Sequence, residues 1–210
     1  MNETIKALNW RYATKQFDTA KKVSDTDIEM LLEAARLSAS SYGLQPYHFF
    51  IIEDEAIREQ LKEASWGQPQ ITDASHLLVL ANKTTFTDSL IDDYINNLIK
   101  TRGVEKEQLT DYIGMMKNSL LPMSEDEKQS WTGKQTYIAL GNLLAAAAHS
   151  RIDACPMEGF NASKYNEILG LADKNLNAAV VLTLGYRSKE DKTQHYPKVR
   201  YSKEKLFTHL

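Results

Sequence analysis

The chain has a single cysteine among its 210 residues, Cys155, so no intrachain disulfide can form and nothing calls for an oxidising compartment. Long apolar runs are missing as well. No stretch approaches the ~20 residues needed to span a bilayer, and Met1 to Trp10 carries Asn and Glu rather than the apolar heart of a signal peptide. The expected location is the cytoplasm, with no membrane partner. Neither sign of charge dominates: 25 Lys and Arg stand against 28 Asp and Glu, a net charge of −3 that gives no electrostatic reason to expect nucleic acid.

Glycine is sparse and scattered. Nine glycines lie at 43, 67, 103, 114, 133, 141, 159, 170 and 185, never closer than eight residues apart. A Rossmann or P-loop cradle needs two or three within about six residues, so that backbone can approach phosphate, and neither is present. The G-x-S-x-G elbow of the α/β-hydrolases is excluded by the same spacing. The five histidines form no close pair and no i, i+4 arrangement, and with one cysteine no zinc site of familiar spacing is available. No metal is expected.

What is present suits one soluble domain over residues 1–210. Apolar residues make up 42% and charged residues 25%, and a chain of this size buries roughly 70% of its extended surface without a disulfide or metal. The pattern predicts a short helix at Glu3–Asn9. A second is capped by Ser24, with Ile28, Leu31, Leu32 and Ala35 as its buried stripe, and it fails near Ser40-Ser41-Tyr42-Gly43. Strands are expected at Tyr47–Ile52, at His76–Ala81 and at Ala178–Leu184, the second covered on both faces. Ile57, Leu61 and Ala64 suggest a helix between the first two, and Gln68-Pro69-Gln70 an interruption. Further helices are expected at Leu90–Lys100, Lys106–Leu120 and near Ala162–Leu169. Thr136–His149 is apolar around its circumference, which predicts a helix at the domain centre or in a subunit interface. The stretch 185–210 has few aliphatic residues and cannot form a core, so it must lie on something, such as a second subunit.

Without a glycine loop, any phosphorylated cofactor must be gripped by side-chain cations. Two groups qualify: Arg11 with Lys15, and Lys198 with Arg200 just after Pro197. In an extended segment, Lys198 and Arg200 share a face, and Arg can hold phosphate through two parallel hydrogen bonds. Basic pairs are also commonplace on surfaces, and spacing alone leaves both readings open.

Taken in order, the segments resemble the nitroreductase family of flavoproteins. Arg11-Tyr12-Ala13-Thr14-Lys15-Gln16-Phe17 is similar to the family's R-x-S-x-[KR]-x-[FY] motif, and Leu37 to Tyr47 to its P-S-S-x-x-x-Q-P-W segment. Gln68-Pro69-Gln70 before Asp73-Ala74-Ser75-His76, then Gly141-Asn142-Leu143-Leu144, then Pro156-Met157-Glu158-Gly159-Phe160 and Pro197-Lys198-Val199-Arg200 complete the pattern over most of the chain. Ala13 and Ala39 stand where the family commonly has Ser and Pro, Tyr47 where it has Trp, and Gly67 where close relatives often have a flavin-bonding Asn.

The resemblance implies an α+β fold: an α/β/α sandwich with a mostly antiparallel sheet, assembled as an intertwined homodimer with FMN at the interface and 185–210 on the partner. It implies an FMN-dependent oxidoreductase, passing hydride from NAD(P)H through flavin N5 to nitroaromatics, quinones or free flavins in a ping-pong cycle. No protein side chain then serves as nucleophile or base. Arg11, Lys198 and Arg200 should hold the phosphate, with Tyr12 and Ala13 beside them, and Lys15 should stabilise charge on the pyrimidine side of the flavin. Ser40 and Ser41 of the other subunit should hydrogen-bond the phosphate or ribityl chain, and Gln135 is a further candidate for the ribityl chain. Gln68 or Gln70 should replace the missing Asn contact, and Pro156, Met157, Glu158 and Gly159 should line one flavin face. For Glu158 the alternative is a carboxylate that caps the following helix. For Tyr112, Met115 and Met116, proposed acceptor-pocket residues, it is ordinary packing. Two other functions stay open: a non-catalytic FMN-binding protein, and a member using reduced FMN for another reaction.

Overall fold

Alternation along one strand decides the layering of the protein, whose computed structural model describes residues 2–210. Strand β2 (His76–Lys83) sends Leu77, Val79 and Ala81 into one core and Leu78 and Leu80 into another, all fully buried. A strand apolar on every position is what two covered faces require. Each such Leu contributes roughly 1.5–3 kcal/mol of burial. β2 lies between β1 (Tyr47–Ile52) and β4 (Leu176–Gly185), and β3 (Asp153–Met157) pairs with β4 alone, giving the order β1-β2-β4-β3 with every pairing antiparallel.

The helices divide between the faces. One core joins the sheet to α3 (Glu55–Glu63), α4 (Gln70–Asp73) and α8 (Ala162–Ile168), through Leu61, Ile71 and Tyr165. The other joins it to α2 (Asp25–Arg36) and α7 (Glu125–His149), through Ile28, Leu31, Ala35, Leu140, Leu143 and Ala147. α1 (Glu3–Trp10) packs on α7. A satellite core of Leu44, Phe86, Ile91, Ile95, Met116 and Leu120 is built by α5 (Asp88–Arg102) and α6 (Thr110–Leu120). The short α9 (Lys203–Leu206) follows in the tail. The fold is the α+β sandwich expected from the resemblance.

Several local expectations hold for the reasons given. Ser24 caps α2 by accepting the Asp27 amide at 3.1 Å. Others are corrected. α7 begins at Glu125 rather than Thr136, because Ser124 and Glu127 form a reciprocal capping box that starts the helix within a polar stretch. Nor is α7 covered all round: Tyr137 and Ile138 are exposed on one strip, with Gly141 and Asn142 beside them. β3 is absent from the expected strands because Asp and Pro are poor strand formers; at a sheet edge, Pro156 is tolerated. Met116 is fully buried in the satellite core, so it lines no pocket.

Candidate functional site

The segment Arg11–Phe17 runs alongside the open edge of β3. Ala13 bridges Ala154 in parallel register, the Thr14 amide donates to the Ala154 carbonyl at 3.4 Å, and Phe17 bridges Arg187. In that register Lys15 is level with Pro156. Two buried carboxylates lock the segment in place. Asp153 accepts the Arg187 amide and Nε, each at 2.8 Å, while the Arg187 guanidinium stacks 4.3 Å from the Trp10 ring centroid and 4.6 Å from that of Tyr12. Asp191 is 1% exposed. Its Oδ2 accepts the Tyr12 hydroxyl and the Lys15 amide at 2.8 Å and the Gln16 amide at 3.1 Å; its Oδ1 accepts the Thr193 amide at 3.0 Å and hydroxyl at 2.5 Å. Burial works against ionisation of Asp191, yet these donors outweigh it and hold its pKa down to about 2.

This anchoring sets one wall of a groove of about 360 Å³, lined by Arg11, Tyr12, Ala13, Lys198, Arg200 and their neighbours, with no acidic residue in its lining. Lys198 Nζ donates to the Leu8 carbonyl at 2.7 Å and to the Arg11 carbonyl, so it also closes the C-terminal end of α1. Burial and the nearby Arg200 lower the Arg11 pKa; burial, Arg11 and Arg200 lower that of Lys198. Arg11 Nε is buried with no hydrogen-bond partner among the described residues. Three cations are thus gathered with no acidic group in the groove to neutralise them. Lys15 is exposed beyond the groove, and it and Arg11 both lie near enough to Cys155 to oppose the upward shift that burial imposes on its thiol.

A second group of the expected residues assembles at the far end of β3. The Gln68 side chain donates to the Gly159 carbonyl at 2.7 Å and the Ser65 carbonyl at 3.1 Å. Gln70 is buried, and its Oε1 meets no donor among the described residues. Met157 is buried and Pro156 half-buried. Glu158 caps nothing: Asn161 is the N-cap of α8, and Glu158 instead accepts the Tyr137 hydroxyl of α7 at 2.6 Å. Burial, then this bond, push the Tyr137 phenol up to about 12.

Ser40, Ser41 and Gln135 form a third group and do not line the cationic groove. Gln135 is buried, with Oε1 accepting the Ser41 amide at 2.8 Å and Nε2 donating to the Trp131 carbonyl at 3.0 Å. Ser40 Oγ accepts the Gln45 amide at 3.0 Å across a turn in which Tyr42 has φ of 55° and Gln45 of 43°. Asp191 and Arg187 escape sequence reasoning, since their role depends on partners more than 30 positions away. No group of three or more His, Cys, Asp or Glu side chains able to hold a metal is found among the described residues, and no helix is long and apolar enough to cross a membrane.

The chain is similar to several known proteins. A Staphylococcus epidermidis protein that carries the name NAD(P)H nitroreductase is 39% identical over 222 aligned positions, covering 99% of this chain and 97% of the relative. YfkO of Bacillus subtilis, similarly named, is 37% identical over 213, covering 96% and 95%. Among solved structures, the nitroreductase YdfN of Bacillus subtilis superposes with a TM-score of 0.85 at 20% identity, over 99% of both chains. A nitroreductase of Exiguobacterium sibiricum in complex with FMN gives 0.84 at 18% identity, over 100% of this chain and 98% of the other. The model of the Nitroreductase family matches residues 8–186, and the chain belongs to that family.

Proposed function

We propose that the chain binds FMN, works as a homodimer and uses NAD(P)H to reduce flat acceptors such as nitroaromatics, quinones or free flavins. The observation that carries this reading is the convergence of Arg11, Lys198 and Arg200 on a groove lined by no carboxylate. Arg11 and Lys198 are half-buried and Arg200 is exposed, and like charges gathered at one groove favour a bound anion. A phosphate monoester suits them, because Arg offers a fork of donors and Lys a point charge, and the unpartnered Arg11 Nε leaves a donor over.

Bound there, FMN would supply the redox chemistry, taking hydride from NAD(P)H and passing it to the acceptor. The protein supplies position and field. Arg11, Lys198 and Arg200 would hold the phosphate, beside Tyr12 and Ala13. Lys15 would set a fixed cation where reduction accumulates negative charge. Pro156, Met157, Glu158 and Gly159, braced by Gln68, would line one face, with a backbone N–H of Glu158 or Gly159 as edge donor and Gln70 as a further contact. Ser40 and Ser41 of the partner subunit would complete the site, with Gln135 holding the Ser41 turn in shape. The exposed strip of α7 and the exposed tail residues Val199, Tyr201, Leu206 and Phe207 support such a partner; obligate interfaces bury roughly 2,000–5,000 Å².

Anaerobic addition of NADH to the FMN-loaded protein tests the reading: prompt bleaching of the visible absorption is expected. A protein that only sequesters FMN stays yellow. A single stacking surface used alternately by donor and acceptor gives parallel lines in double-reciprocal plots, and intersecting lines would exclude the alternation. A monomer without affinity for FMN would overturn the proposal.

A further inference from the structure

We infer that Trp66 determines acceptor specificity, its indole serving as a platform on which flat aromatic acceptors stack beside the Pro156–Gly159 segment. The inference rests on the reading of that segment as the working edge of an FMN site.

Trp66 is 71% exposed, although an indole is among the largest apolar groups a core can use. Its backbone has φ of 55°, in the left-handed region that a bulky L-residue rarely enters because its Cβ crowds the following carbonyl oxygen. Gly67 follows at φ of 75°. The turn itself is fixed by backbone: the Trp66 amide donates to the Glu63 carbonyl at 3.2 Å, the Gly67 amide to the Lys62 carbonyl at 2.9 Å, and the Gln68 amide to the Ser65 carbonyl at 3.2 Å. None of these bonds needs an indole. Asn or Gly would make the same turn with less strain, so neither burial nor turn geometry accounts for the side chain.

Its location does. The ring's Cζ3 lies 3.4 Å from where a Cβ on Gly159 would stand, and Gln68, two residues on, clamps the Gly159 carbonyl at 2.7 Å. The turn at 65–68 and the end of β3 are therefore one unit, with the indole resting on Gly159 and most of its surface turned to solvent. An indole held at the mouth of a site, supported from behind and open in front, presents a π face. Aromatic pairs contribute about 0.5–1.5 kcal/mol beyond area burial. A flat aromatic acceptor gains this contact; a small inorganic acceptor does not.

Two variants test the assignment. Trp66→Asn removes the ring while tolerating the left-handed backbone, and Trp66→Phe keeps a smaller π face. The first readout is equilibrium binding, by calorimetry, of 4-nitrobenzoate to FMN-loaded protein without electron donor. Trp66→Asn is expected to weaken it by roughly two- to tenfold, with Trp66→Phe falling between it and the native protein. The second is selectivity: the ratio of kcat/KM for the nitroaromatic to that for ferricyanide should fall by a similar factor. An unchanged 4-nitrobenzoate Kd, an equal loss for both acceptors, or a loss of FMN as large as the loss of nitrobenzoate would overturn the inference while leaving the oxidoreductase reading standing. A native protein that takes up no FMN would show the failure of that reading before any variant is made, and the inference would fall with it.

Discussion

The Asp191 carboxylate accepts the backbone amide of Lys15 at 2.8 Å across 176 positions of sequence, so the loop carrying Arg11 and Lys15 is shaped by the C-terminal segment. Asp191 also takes the Tyr12 hydroxyl and the Gln16 amide. Removing it strands several partly buried donors at once. Asp191→Ala should lower stability by about 3 kcal/mol, a typical value for charge-assisted bonds lost from a buried site, read as a lower midpoint in chemical denaturation.

The same carboxylate makes a pH prediction. Its folded pKa is about 2, against about 3.9 for an unfolded Asp. A depressed carboxylate stabilises the fold above the unfolded value, and the contribution is lost as pH falls from about 4 towards 2. Asp191→Asn should flatten the stability–pH curve in that window. A curve parallel to the native one would place the acid sensitivity elsewhere.

Arg11→Ala and Lys198→Ala should each weaken FMN binding by roughly 10- to 150-fold, the equivalent of about 1.5–3 kcal/mol for one charge-assisted bond. Lys198→Ala also uncovers the Leu8 and Arg11 carbonyls at the end of α1. It should therefore reduce thermal stability as well. Flavin fluorescence titration measures the first effect and calorimetric unfolding the second; unchanged FMN affinity in both variants would remove the phosphate assignment and leave the family membership intact.

Gln135→Leu should lower stability by about 1–3 kcal/mol, the cost of a buried donor left without its acceptor. The Ser41 amide loses Oε1 in the variant, next to the left-handed Tyr42. Thermal unfolding reads the loss, and an unchanged midpoint would mean that the turn at 40–45 holds without Gln135.

Ile138→Lys should shift the protein towards monomer in sedimentation, because it puts a charge into the exposed apolar strip of α7. Residual dimer should bind FMN, and the monomer should not. A variant that stays dimeric would move the interface off this strip.

How far these features are legible in the sequence depends on the range of the interactions behind them. Ser24 capping α2 and the doubly buried run of β2 are local or periodic, and both are read directly from neighbouring residues. The start of α7 was masked because its first turns are polar, although Ser124 and Glu127 carry the capping signal. β3 was masked by Asp153 and Pro156, which suit an edge strand and little else. Arg11, Lys198 and Arg200 are recognisable as cations and as motif residues, while their convergence on one groove is invisible along the chain.

Composition and glycine spacing by themselves decided that no Rossmann or P-loop glycine cradle exists here, so that any bound phosphate would have to be held by side-chain cations. Helical periodicity located helices such as α2, and aromatic, β-branched or unbroken apolar runs located three of the strands, since each of these signals is carried by neighbouring residues. Only the tertiary structure decided that Asp191 holds the Lys15 loop, that Glu158 bonds Tyr137 rather than capping α8, and that an exposed indole rests on Gly159. Those contacts join residues far apart in sequence, and no local pattern encodes which distant groups the folded sheet brings within hydrogen-bonding or packing distance.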